Sequence, residues 1–131
     1  MTGDGHARAS RIVFFAYAVV IASLTHWPSL QVPKAGLQRS DMIVHIGVFG
    51  TWALLLIRCS WFGPMLSARN IVFAAMCAVA YAGVDEVTQA FPALNRYASW
   101  DDFAANTIGI AVGVATACGL GALHDPTGGS R

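Results

Sequence analysis

The sequence predicts an all-α integral membrane protein, a bundle of four transmembrane helices with both termini on the cytoplasmic side. Three observations carry that prediction. Of 131 residues, 56% are hydrophobic and only 11% are charged, against about a quarter charged in an ordinary soluble domain. The apolar residues gather into four runs, at about 12–27, 42–62, 71–91 and 103–123, each near the ~20 residues that cross a ~30 Å hydrocarbon core. Segments with Pro, Gly and charged residues separate the runs, as turns at a membrane surface require.

Residues 1–11 read as a short cytoplasmic tail bearing Arg8 and Arg11. A basic tail before an apolar run also fits a cleaved export signal. Here the run outlasts a usual signal core, and no small-x-small cleavage site precedes His26-Trp27-Pro28. The first run is therefore read as an uncleaved span, with Trp27 at the headgroups and Pro28 ending the helix. After a polar loop with Lys34 and Arg39, Ser40 and Asp41 suit a helix N-terminus, where free amides and the positive dipole end attract oxygen and negative charge. The second span ends before Gly63-Pro64. The third meets Asp85 and Glu86 in helical phase and stops before Pro92. Ser99, with Asp102 three residues on, has the spacing of a capping box for the fourth. Gly109 and Gly113 form a small-xxx-small pair that allows close helix approach. Residues 124–131 read as a short flexible tail, so the transmembrane domain is 12–123.

Composition also removes several function classes. The formal net charge is +1 and the basic residues are scattered, so no nucleic-acid partner is expected. Cys59, Cys77 and Cys118 lie in or beside apolar runs, without a CxxC or paired histidines at ligand spacing. They read as small hydrophobes, and no disulfide framework, metal site or cofactor is expected.

Four spans bring the start of the second helix, the end of the third and the start of the fourth to one side. Arg8, Arg11, Arg58, Arg69 and Arg131 fall on the other side, against Lys34, Arg39 and Arg96 on this one. The positive-inside rule then makes the polar side the outer one. Asp41 and His45, and Asp102 and Asn106, are spaced i,i+4, while Glu86 and Gln89 are spaced i,i+3. Each pair thus shares a helix face, and three polar pairs at one depth form a cluster.

The combination Asp41-x-x-x-His45, Glu86-x-x-Gln89 and Arg96-x-x-Ser99-x-x-Asp102-x-x-x-Asn106-x-x-Gly109-x-x-x-Gly113 resembles the VanZ-like family of small bacterial membrane proteins. The resemblance covers roughly residues 12–120. It implies four helices in the bacterial cytoplasmic membrane and a link to glycopeptide sensitivity, the family being named for an accessory protein that lowers sensitivity to teicoplanin. Two positions depart from its pattern. The stretch Pro92-Ala93-Leu94-Asn95-Arg96 lacks the Pro-Gly that often precedes the arginine, and Met42 stands where a lysine is common.

Ionisable residues at membrane depth are expensive and point to function. Glu86 and His45 are the candidate catalytic acid–base residues, since a carboxyl among apolar groups exchanges its proton nearer working pH. Arg96, Gln89, Asp102, Asn106 and Asp41 are the candidate substrate-binding residues, with the planar fork of Arg96 suited to a phosphate. Asp85 is expected to face away from Glu86, and His26 is a further candidate on the same side. The expected partner is an anionic cell-envelope lipid or a lipid-linked cell-wall intermediate. A second copy of the chain or an envelope protein is the other kind of partner the sequence allows. The alternative is a non-catalytic accessory module in which the same groups are interhelical glue, at about 0.6–2 kcal/mol per bond. No nucleophile motif or Gly-rich phosphate cradle is present, so the sequence assigns no reaction.

Overall fold

The computed structural model describes residues 3–27, 40–91 and 98–124. Among them there are four helices and no strands: α1 (Gly3–Thr25), α2 (Ser40–Arg58), α3 (Ala68–Gln89) and α4 (Trp100–His124). Each contains a stretch long and apolar enough to cross a membrane: Gly5–Thr25, Asp41–Arg58, Ala68–Gln89 and Trp100–Gly121. The protein is thus the all-helical, multi-pass bundle that the sequence predicts. Large apolar side chains such as Ile12, Val19, Val72, Val87, Val112 and Leu120 stand outward, a surface that lipid solvates and water does not. The loop 28–39, Arg96 with its turn, and the tail from 125 lie outside the described residues.

Several helix ends differ from the sequence reading, and three of the differences have a local reason in the contacts. Helix α1 begins at Gly3, so most of the expected tail is helical. Nothing in Gly3–Ser10 breaks a helix beyond its glycines, and Arg11 donates from Nε to the Cys59 carbonyl at 3.1 Å, which ties this first part of α1 to α2. Helix α2 stops at Arg58, before 62. Ser60 (φ 52°) and Gly63 (φ 148°) carry the turn that follows. The fully buried Asn70 holds that turn: its Nδ2 donates to the Ile57 and Met65 carbonyls, both at 2.9 Å, and its Oδ1 accepts from the Phe62 amide at 3.2 Å. Helix α4 starts at Trp100, before 103, because Ser99 caps it there: its Oγ accepts from the Asp102 amide at 3.3 Å.

Helix α2 is the centre of the bundle and packs on the other three. It runs antiparallel to α1, with the Tyr17 hydroxyl donating to the Val48 carbonyl at 2.9 Å. Phe14 of α1 meets Trp52 edge-on at 4.9 Å, and Trp52 stacks on Tyr81 of α3 at 4.2 Å. This aromatic seam joins three helices by large, shape-matched contacts. Behind Arg11, burial pushes the Cys59 thiol up, opposed by the nearby arginine charge, so it packs as a neutral group.

The α2–α4 contact is of another kind. The two helices run parallel with their backbones touching. A Cβ on Gly109 would overlap the Ile46 carbonyl oxygen, one on Gly113 would overlap that of Gly50, and one on Gly50 would lie 3.0 Å from the Gly109 oxygen. Only glycine permits such an approach. The Gly109–Gly113 stripe is therefore used inside the bundle, and it sets α2 beside α4 at the level of His45 and Asn106.

Candidate functional site

The polar residues collect where α1 and α3 end and α2 and α4 begin. Helix α4 supplies the first piece of geometry. In a capping box the third helical residue accepts from the cap residue's own amide. Here that acceptor comes from another helix: Glu86 Oε2 of α3 accepts from the Ser99 amide at 3.1 Å. Asp102 is thereby left to face α2, with its Oδ2 3.9 Å from His45 Nε2. One helical turn later Asn106, fully buried, joins three helices. Its Oδ1 lies 2.8 Å from His45 Nδ1, and its Nδ2 donates to Glu86 Oε1 at 3.5 Å. His45, Glu86, Asp102 and Asn106 thus form one connected group across α2, α3 and α4.

Gln89 does not join it. Its Nε2 donates to Asp85 Oδ2 at 2.7 Å, because the i,i+4 spacing sets the amide over the Asp85 carboxyl while Glu86 turns toward α4. The expected Glu86–Gln89 pair is replaced by Asp85–Gln89, on a different face of α3. Asp85 is 1% exposed, and its Oδ1 has no hydrogen-bond partner among the described residues. His26, just past the end of α1, has its Nδ1 4.0 Å from that oxygen. His26 Nε2 lies 2.8 Å from Thr88 Oγ1. Adjacent acids on α3 therefore turn to different neighbours, Asp85 toward His26 and Gln89 and Glu86 toward Ser99 and Asn106. Sequence reasoning kept His26 as a further candidate but missed Thr88; a histidine at the end of one span and a threonine four residues before Pro92 were the only signals.

Asp41 is exposed, one turn before His45; the His45 ring turns to α4 instead. Arg96 and Tyr97 lie outside the described residues, and Trp27 and Trp100 are exposed. Among the described residues no group of three or more His, Cys, Asp or Glu side chains could hold a metal ion.

A cleft of about 350 Å³ opens between α3 and α4, lined by Gly83, Glu86, Val87, Ser99, Trp100 and Phe103. Trp100, 86% exposed, stands at its rim and meets Phe103 edge-on at 6.3 Å. Glu86, 5% exposed, is the acidic side chain in a largely apolar wall. Such a site suits a ligand with an apolar body and one polar end.

Comparison with known proteins adds one finding. A family model described as VanZ/LLP1 matches residues 14–121. No curated protein and no solved structure matches the chain.

Proposed function

The chain belongs to the VanZ family, and from that premise we propose that it binds a cell-envelope lipid with an anionic, phosphate-type headgroup, or a lipid-linked cell-wall intermediate, in the α3–α4 cleft. One observation carries this reading: a nearly buried carboxyl, Glu86, forms part of an otherwise apolar cleft that opens beside an exposed tryptophan within the spanning segments. The hydrocarbon chain of a lipid fits against Val87, Phe103 and Trp100, and its headgroup fits the Glu86–Ser99 end. Arg96, three residues before Ser99 in the sequence, is the cation we assign to the anionic group.

His45 and Glu86 are the groups that handle protons. Asn106 stands between them and does not titrate, so His45 tunes the field at Glu86 rather than passing it a proton directly. Binding, flipping and transfer of the lipid all draw on these same contacts. By the positive-inside rule the site opens to the outer leaflet of a bacterial cytoplasmic membrane. Capture of a lipid-linked wall intermediate there would connect the chain to glycopeptide sensitivity.

Native mass spectrometry of the protein extracted from its own membrane tests the reading. The expected result is a retained phosphate-bearing lipid on the wild type that is lost from an equally well folded Arg96→Ala variant. Absence of lipid from both proteins would overturn it. A second reading, a non-catalytic accessory module, draws on the way Asn106 ties α2, α3 and α4 together beside their closest approach.

A further inference from the structure

We infer that the lipid taken by the α3–α4 cleft carries a primary amine beside its phosphate, an ethanolamine-type headgroup, with the ammonium seated on Glu86. This rests on the lipid-site reading of the same cleft and narrows its ligand.

The hydrogen bonding of Glu86 is the starting point. Its Oε2 accepts from the Ser99 amide at 3.1 Å, and its Oε1 accepts from Asn106 Nδ2 at a limiting 3.5 Å. A carboxylate offers about four acceptor sites. Among the described residues one ordinary and one stretched donor serve it, which leaves acceptor sites for a donor on a ligand.

Charge points the same way. Among the described residues the ionisable neighbours of Glu86 are Asp85, which precedes it on α3 and turns to Gln89, and His45 and Asp102, which lie beyond Asn106. Two of the three are acidic, and the His45 ring is already engaged with Asn106 and Asp102. Glu86 is open to the cleft, whose other walls are apolar or aromatic apart from Ser99. A bare phosphate there would meet the Glu86 carboxyl, the acidic group of the lining. An ammonium brings three N–H donors to the open acceptor sites, and the Trp100 and Phe103 rings favour a cation beside them. The phosphate of the same headgroup is then the group we assign to Arg96. A quaternary ammonium has the charge but no N–H, so a choline headgroup leaves the hydrogen-bond deficit in place.

The test is native mass spectrometry of delipidated protein in detergent, offered phospholipids with matched acyl chains and a graded headgroup. Ethanolamine, its mono-, di- and trimethylated forms, and glycerol are the five probes. Retention is expected to fall stepwise with each N-methyl group. The ethanolamine lipid should exceed the choline and glycerol lipids about tenfold, the scale of one charge-assisted hydrogen bond. That preference should vanish in Glu86→Gln, and the methylation series on the wild type still decides the matter if that variant does not fold. Equal or stronger retention of the glycerol lipid overturns the amine while leaving a lipid site. Equal retention across the methylation series does the same. Retention of none of the five overturns both.

Discussion

His45 Nδ1 lies 2.8 Å from Asn106 Oδ1, and this contact settles which ring nitrogen faces the rest of the site. The Asn106 amide nitrogen donates to Glu86, so its oxygen must accept, and His45 Nδ1–H is the donor. Nε2 is then the nitrogen that looks toward Asp102, 3.9 Å away. The arrangement exists because Ile46, the next residue on α2, lies against Gly109. Packing and polar geometry are one feature here.

Replacing Asn106 with Leu removes two interhelical hydrogen bonds and leaves His45 and Glu86 without that partner. At membrane values for such bonds the loss should be roughly 1–3 kcal/mol, seen as a lower midpoint in mixed-micelle denaturation. An unchanged midpoint would show that the network contributes nothing to the bundle.

Gly113→Val drives a branched side chain into the Gly50 carbonyl and Ala53. Backbone cannot yield there as a side chain can, so the penalty should be roughly 3 kcal/mol, at the upper end for overpacking. Membrane abundance should drop. Gly47→Ala is the control, since a Cβ at Gly47 meets nothing within 4 Å, and its abundance should match the wild type. Equal abundance of both variants would contradict the close α2–α4 approach.

Asn70→Ala should cost about 3 kcal/mol, from three side-chain hydrogen bonds at ~1 kcal/mol each. The α2–α3 turn should become protease-sensitive near Ser60. Retained protease resistance would mean the turn holds itself.

Thr88→Val takes away the group that His26 Nε2 meets on α3. The end of α1 should then fray, with several-fold faster hydrogen exchange at the His26 amide, which donates to the Ala22 carbonyl at 3.2 Å. Unaltered exchange would show that the Asp85–His26 side of α3 does not anchor α1.

The parts legible in the sequence were those written in local spacing. Long apolar runs announce spans whatever their partners, and Asp102, Asn106, Gly109 and Gly113 share one face because a helix repeats every 3.6 residues. The path of a side chain between helices is not local. Gln89 could reach Glu86 at i−3 or Asp85 at i−4, and only the turn of Glu86 toward Ser99 decides for Asp85. Asn70 and Thr88 were invisible for a related reason: the one bonds mainly carbonyls and amides of a neighbouring loop, and the other meets a histidine 62 residues away. The start of α1 was misplaced because a charged arginine reads as tail until its acceptor, the Cys59 carbonyl, is seen.

Glu86→Gln separates the ligand-site reading from the accessory-module reading. The glutamine carbonyl can still accept from the Ser99 amide, and the Asn106 amide can rotate to accept from the new NH₂ while its own NH₂ donates to His45 Nδ1 in the other ring tautomer. The change in bundle stability should therefore stay within about 1 kcal/mol, the scale of a single interhelical hydrogen bond. If the cleft is a lipid site, membrane abundance should equal that of the wild type while retained lipid disappears. If the carboxylate serves the bundle in a way the neutral amide cannot replace, the loss should exceed that figure, so that abundance falls and any retained lipid falls only in proportion. Quantitative immunoblotting of membranes and lipid mass spectrometry on the same preparation read both quantities. Reduced abundance with undiminished lipid per protein would assign Glu86 to the fold and not to the ligand.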